Sequence, residues 1–278
     1  MTRKKTKTKG KDDKKIFKII IIVLCLIVLY NILFKHKKKN EYIKGEYYLQ
    51  FGDDFKKGLN TVDDLGISIV IAIDCSGSMD DPPKNGSINK YKLASQSLRE
   101  IVSFLENFYF NNVNKENLIL KIGLLKFSDD VEVLFPLTLM DKTNFEILKE
   151  VTSIEKNFLP QSSTAIGKTI EKGAEILAQS GTIFKSLIII TDGENTEGVD
   201  PEKALDALVN NRNNKSTMDF PVITSSILVS IVGFDIDASV FYNLKKIGAR
   251  VVQAGDKEEL DNTLRNIFIA DITKLEAK

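Results

Sequence analysis

The sequence predicts an α/β fold: a mostly parallel sheet flanked by helices on both faces, with one antiparallel edge strand, preceded by a single transmembrane helix. Three observations carry this expectation. Short, nearly unbroken apolar runs at residues 67–73 and 187–190 suit strands buried on both faces. Amphipathic stretches with apolar residues three and four apart alternate with them, the order that builds a parallel sheet. Near the amino terminus, residues 16–34 carry one charge, Lys18, in nineteen positions.

Residues 1–15 are polar, basic and free of large apolar side chains, which predicts a disordered tail. At a rise of ~1.5 Å per residue, residues 16–34 are long enough to cross a ~30 Å hydrocarbon layer, and they lack the polar stripe of a buried soluble helix. The run is longer than a signal-peptide core, and no small-x-small cleavage pattern follows it. Leu24 stands where a lipoprotein signal would have a small residue before Cys25. An uncleaved anchor is therefore expected. Eight Lys/Arg precede it and four follow at Lys35 to Lys39, so the larger excess stays cytoplasmic and the body faces outward.

Residues 35–64 read as a juxtamembrane linker, residues 65–270 as the body and residues 271–278 as a short tail. Within the body, a helix is expected at 90–110, with Leu98, Ile101, Val102 and Leu105 on one stripe. Strands at 118–127 and 131–137 flank the turn signal Ser128-Asp129-Asp130, so the second should be the antiparallel edge. A helix at 144–154 follows, then another that opens just after Ser162-Ser163-Thr164. Next come a strand at 185–191 and a helix started by Asp200-Pro201. A strand at 223–232 leads to a helix capped by Asp237, then a short strand at 250–253. Asp256 with Glu259 three residues on opens a last helix.

The 278 residues are 43% apolar and 28% charged, an ordinary globular balance. The formal charge of +1 hides an asymmetry: residues 1–40 sum to +11 and the remainder to −10. An acidic body argues against nucleic-acid binding, which needs a basic face. The single histidine, His36, lies in the basic arm, so the body has no imidazole base or metal ligand. That excludes Ser-His-Asp and Cys-His hydrolases and most zinc enzymes. The two cysteines, Cys25 and Cys75, fall in different segments, and no disulfide is expected. The abundance of Lys, Asn and Ile suggests an AT-rich, bacterial genome.

Ligands of an open parallel sheet bind at the carboxyl ends of the strands. The first strand runs out into Asp74-Cys75-Ser76-Gly77-Ser78, a later one into Thr191-Asp192-Gly193-Glu194, and Gln161-Ser162-Ser163-Thr164 opens a helix. Asp74 and Asp192 are anionic oxygen donors, and Ser76, Ser78 and Thr164 supply hydroxyls. An all-oxygen set without thiolate or imidazole selects a hard cation, Mg²⁺ first, then Mn²⁺ or Ca²⁺. Gly77 is expected to let the chain curl so that both serines face one centre. Asp129 and Asp130 are expected only to make their turn, Asp80, Asp81 and Glu194 to be solvated, and Cys75 to be a buried hydrophobe.

Asp74-x-Ser76-x-Ser78 after a buried strand, a distal Thr164 and a Thr191-Asp192-Gly193 strand end resemble a von Willebrand factor type A domain. The stretches Phe135-Pro-Leu-Thr138, Thr164-Ala-Ile-Gly167 and Thr191-Asp-Gly-Glu-Asn195 are similar to the membrane-anchored, Bat-type aerotolerance branch of that family. The resemblance covers residues 65–270. It implies a Rossmann-like fold with a metal-ion-dependent adhesion site. Ser76, Ser78 and Thr164 would touch the ion, Asp74 and Asp192 would act mainly through bound waters, and a partner protein's carboxylate would complete the shell. Where many members have Gly before the threonine, this chain has Ser163.

The function this implies is metal-dependent protein binding by a non-enzymatic module on the extracytoplasmic face of a membrane. A metal-free structural scaffold is the alternative. A phosphatase using Asp74 as nucleophile would need a second Asp two residues on, where this chain has Ser76, and there is no Gly-rich phosphate loop.

Overall fold

The computed structural model describes Leu49 and residues 64–113, 119–210 and 227–273, all within the unit Lys44–Lys278. The expected basic tail, the span at 16–34 and nearly all of the linker lie outside the described residues. Among the described residues, no helix is long and apolar enough to cross a membrane.

In chain order the elements are β1 (Asp64–Asp74), α1 (Lys90–Phe108), β2 (Ile119–Phe127), β3 (Val131–Leu139), α2 (Lys142–Ser153) and α3 (Ile166–Ala178). They continue with β4 (Thr182–Thr191), α4 (Pro201–Asn210), β5 (Ile227–Phe234), α5 (Tyr242–Ile247), β6 (Arg250–Ala254) and α6 (Lys257–Thr273). The strands form one sheet in the order β3-β2-β1-β4-β5-β6. Every neighbouring pair is parallel except β2 and β3, so β3 is the antiparallel edge that its short turn requires.

Side-chain alternation along the strands divides the core in two. Ile67, Ile69, Ile71 and Ile73 of β1 join Ile188 and Ile190 of β4 under α1, α2 and α6. Val70 and Ala72 join Leu187 and Ile189 on the opposite face, under α3, α4 and α5. A strand apolar at successive positions can satisfy both faces at once, which is why the runs in β1 and β4 occupy the centre. Leu49 also packs against the second face, so the stretch expected to be a linker contributes to the core there.

Caps fix the helices largely where the sequence places them. Asp141 accepts from the Asn144 N–H, and Asp200 from those of Glu202 and Lys203. At α6, Asp256 accepts from the Glu259 N–H while the Glu259 carboxylate reaches back to the Gly255 N–H. Boundaries differ in places. The helix expected at 90–110 leaves α geometry at Tyr109 and ends in a π-helical turn, Tyr109–Val113. Asp237 caps a 3₁₀ turn, Ala238–Phe241, rather than an α-helix; α5 follows it. The strand expected at 223–232 is observed as Ile227–Phe234, and residues 223–226 lie outside the described residues.

The strand order sets where a site can form. From β1 the chain moves outward to β2 and β3, then returns to lay β4 on the other side of β1. The segment after β1 leads to α1 on one face, and the segment after β4 leads to α4 on the other. These two connections diverge, opening a crevice at the carboxyl ends of β1 and β4, the switch point of the sheet.

Candidate functional site

The crevice is lined by the residues the sequence singles out. Asp74 is the last residue of β1 and is fully buried. Its Oδ1 accepts the Ser76 N–H at 2.7 Å and its Oδ2 accepts the Thr191 hydroxyl at 2.5 Å, tying the end of β1 to the end of β4. Ser76 and Ser78 lie with their Oγ atoms 3.2 Å apart, and the Ser78 hydroxyl donates to Asp192 Oδ1 at 2.7 Å. A Cβ placed on Gly193 would lie 3.7 Å from Thr164 Oγ1 and 3.8 Å from Ser78 Oγ, so both hydroxyls border the same small space beside Gly193. The structure thus brings all five predicted residues to one end of the sheet.

Gly77 serves this arrangement differently from the expected curl. Its φ is not positive; instead, a Cβ there would sit 3.1 Å from the Gln161 carbonyl oxygen. The glycine gives clearance where the loop bearing Thr164 crosses closely over the turn bearing the serines. The same crossing is pinned by the Gln161 N–H to the Cys75 carbonyl at 2.6 Å and by the Ser128 hydroxyl to Gln161 Oε1 at 2.5 Å.

Asp129 does more than make its turn. Its carboxylate accepts the Ser162 hydroxyl at 2.8 Å and the Ser163 N–H at 2.8 Å, and these bonds hold its carboxyl below the usual range. On the other side of Thr164, its N–H donates to Thr196 Oγ1 and its carbonyl accepts the Thr196 N–H. Thr164 is therefore clamped from two loops. The segment bearing Thr196 lies so close to α3 that a Cβ on Gly167 would fall 1.9 Å from the Val199 carbonyl oxygen.

Lys90, the first residue of α1, is a participant that sequence reasoning missed. Its ammonium lies 2.7 Å from Asp192 Oδ2, with the Lys90 side chain 10% exposed and the Asp192 side chain 0% exposed. The contact is an ion pair without aligned hydrogen-bond geometry, so Asp192 Oδ2 accepts no well-formed hydrogen bond. The signal for it was the lysine itself: a cation in the first helical turn opposes the helix dipole and invites the question of what holds it there.

Burial dominates the electrostatics. It raises the Asp74 carboxyl to about 7, against the hydrogen bonds from Thr191 and Ser76, and the Asp192 charge pushes the same way. Burial likewise pushes the Cys75 thiol up to about 12, with the Asp74 charge adding to it; Cys75 is a core residue, not a nucleophile.

The donor set suits a hard divalent cation. Among the described residues, no three His, Cys, Asp or Glu side chains cluster as a metal group, so any ion here depends on hydroxyls beside the two carboxylates. Ser78 gives its proton to Asp192, so its oxygen can accept the Ser76 hydroxyl and still offer a lone pair to an ion. Oxygen donors of this kind are the partners of Mg²⁺, Mn²⁺ and Ca²⁺.

Comparison with known proteins places this architecture. Residues 68–268 match the family model described as von Willebrand factor type A domain. Among solved structures, a von Willebrand factor type A protein from Catenulispora acidiphila superposes with a TM-score of 0.55 at 17% identity, over 75% of this chain and 43% of that one. BatB, a conserved hypothetical protein from Bacteroides thetaiotaomicron, gives a TM-score of 0.52 at 19% identity, over 77% of this chain and 100% of that one. An aerotolerance-related membrane protein from Bacteroides fragilis also gives 0.52 at 19% identity, over 75% and 100%. At these identities the likeness is one of fold. No curated protein matches the sequence.

The raised carboxyl of Asp74 makes a prediction about pH. A carboxyl whose folded pKa of about 7 exceeds its reference value of 3.8 contributes stability that is complete below the latter and lost as pH rises through the former. Thermal melts in EDTA should therefore show Asp74→Asn gaining on the wild type as pH rises from about 4 to about 8. A difference in melting temperature that stays constant over that range contradicts the assignment.

Proposed function

Given that this chain belongs to the von Willebrand factor type A family, we propose that it is a non-enzymatic module that binds a protein partner through a divalent cation. Ser76, Ser78 and Thr164 hold the ion, and Asp74 and Asp192 supply the negative charge around it. The observation that carries this reading is the convergence of two carboxylates and their hydroxyl partners at the β1/β4 crevice, with the Ser78 proton already directed to Asp192. Mg²⁺, or Mn²⁺ or Ca²⁺ in its place, supplies a Lewis-acidic position for an external oxygen, and a carboxylate of the partner is the ligand that fits it. Both Asp74 oxygens are engaged within the protein, which suits a charge-providing role better than that of a nucleophile.

One observation favours a second reading. The Lys90 ammonium meets the charge of Asp192 from within the chain. A metal-free scaffold would need no more.

Residues 16–34 anchor the module in a membrane in this proposal, with residues 1–15, net +6, on the cytoplasmic side and the acidic body outside. A solved neighbour is itself named an aerotolerance-related membrane protein. Alkaline carbonate washing of membranes tests the anchor: the protein should remain in the pellet, and release into the wash would exclude an integral span.

Calorimetric titration of Mg²⁺ and Mn²⁺ into the full-length chain in detergent micelles tests the site. Wild type should bind saturably, and Asp74→Ala or Asp192→Ala should weaken binding by roughly 10–100-fold or more while the fold is retained. Binding that survives either substitution unaltered would falsify the assignment of the site. A folded wild type that binds neither ion would leave the scaffold reading in its place.

A further inference from the structure

Lys90 stands in an unusual local setting. It is a buried lysine, a residue type almost never buried unless paired. It opens α1, where the helix dipole disfavours a cation. The preceding residue, Asn89, makes no side-chain cap to the helix; its amide instead binds the backbone oxygen and carboxylate of Asp80. The Lys90 N–H donates to the Asp81 carbonyl at 3.0 Å, so the backbone of the lysine is fixed to the turn that follows the serines. A residue that violates local preference and is nonetheless held from both backbone and side chain is a mark of function.

The ammonium has one evident object, Asp192 Oδ2 at 2.7 Å, while Oδ1 of the same carboxylate takes the Ser78 hydroxyl. With both carboxylates ionised, Asp74, Asp192 and Lys90 sum to −1. A divalent ion among them leaves the centre at +1. Without the lysine, the same ion would leave it neutral. All three side chains are buried, so these charges interact more strongly than in bulk solvent.

We propose that Lys90 is a built-in counter-cation that weakens the site's hold on a lone divalent ion and leaves the loaded site positive, so that ion and external carboxylate bind cooperatively. The inference rests on the metal-dependent reading above and deepens it. It also accounts for the pairing that would otherwise favour a metal-free scaffold: the lysine holds Asp192 in place when no ion is present and remains beside it when one is. Coupling of this kind makes the partner's carboxylate a condition for tight metal binding rather than an addition to it.

The test compares full-length wild type, Lys90→Met and Lys90→Arg by Mn²⁺ titration, in chloride and in acetate buffers of equal ionic strength. Methionine keeps the buried stem and removes the charge; arginine keeps the charge. Lys90→Met is expected to bind Mn²⁺ at least about tenfold more tightly than wild type in chloride. Acetate should strengthen Mn²⁺ binding by wild type and Lys90→Arg, and by Lys90→Met distinctly less. Melts in EDTA report whether each variant is folded, and Lys90→Gln takes the place of the methionine variant if that one is not. Unchanged or weaker Mn²⁺ binding by a folded, uncharged variant overturns the proposal and makes Lys90 a positioning residue for Asp192. Failure of wild type to bind Mn²⁺ in either buffer overturns the metal-dependent reading itself, and this inference with it.

Discussion

Asp74 and Asp192 bring two carboxylates into the buried ends of adjacent parallel strands, and neither can stay charged there without partners. Much of the structure at that end of the sheet answers this constraint. Thr191 and the Ser76 N–H serve Asp74; Ser78 and Lys90 serve Asp192. Removing any one of these leaves a buried carboxylate oxygen short of a partner, which is the costly direction in which to break such a network. The strand order is what creates the problem, because it sets β1 and β4 side by side while sending their following segments to opposite faces.

The loops around the crevice are held by contacts with each other more than by their own turns. Asp129 reaches from the β2–β3 turn to Ser162 and Ser163, Ser128 to Gln161, and Thr196 to both sides of Thr164. Gly77 and Gly167 allow the backbones to come close enough for this. A threonine on an otherwise adaptable loop is thereby kept at a fixed distance from two serines on another. Preorganisation of this sort is what a weak, few-ligand cation site requires, since the protein cannot rely on a cage of carboxylates.

How much of this was legible beforehand follows from the range of the interactions. The strands, the antiparallel edge and the helix starts at Asp200 and Asp256 are written in patterns a few residues long, and periodicity and capping chemistry reveal them. The five candidate residues were legible as well, since each stands at a strand end or helix start where an α/β sheet gathers its ligands. The sequence marks Asp129 only as a turn residue, because its partners lie more than thirty positions away and nothing local distinguishes an acid that makes a turn from one that also spans a crevice. At Gly77 the local pattern suggests freedom of φ, whereas its role is clearance, which depends on another loop crossing above it. Lys90 had a local signature, a cation where the helix dipole resists one, but its burial became visible only with Asp192 beside it.

In the proposed function the crevice between β1 and β4 holds a divalent cation on hydroxyl and carboxylate oxygens. Anomalous diffraction from crystals of the protein grown with Mn²⁺ tests it most directly, because the signal locates the ion without reference to its ligands. One strong peak is expected within coordination distance of the hydroxyl oxygens of Ser76, Ser78 and Thr164. A peak elsewhere, or a crevice occupied only by the Lys90 ammonium at saturating Mn²⁺, would contradict it.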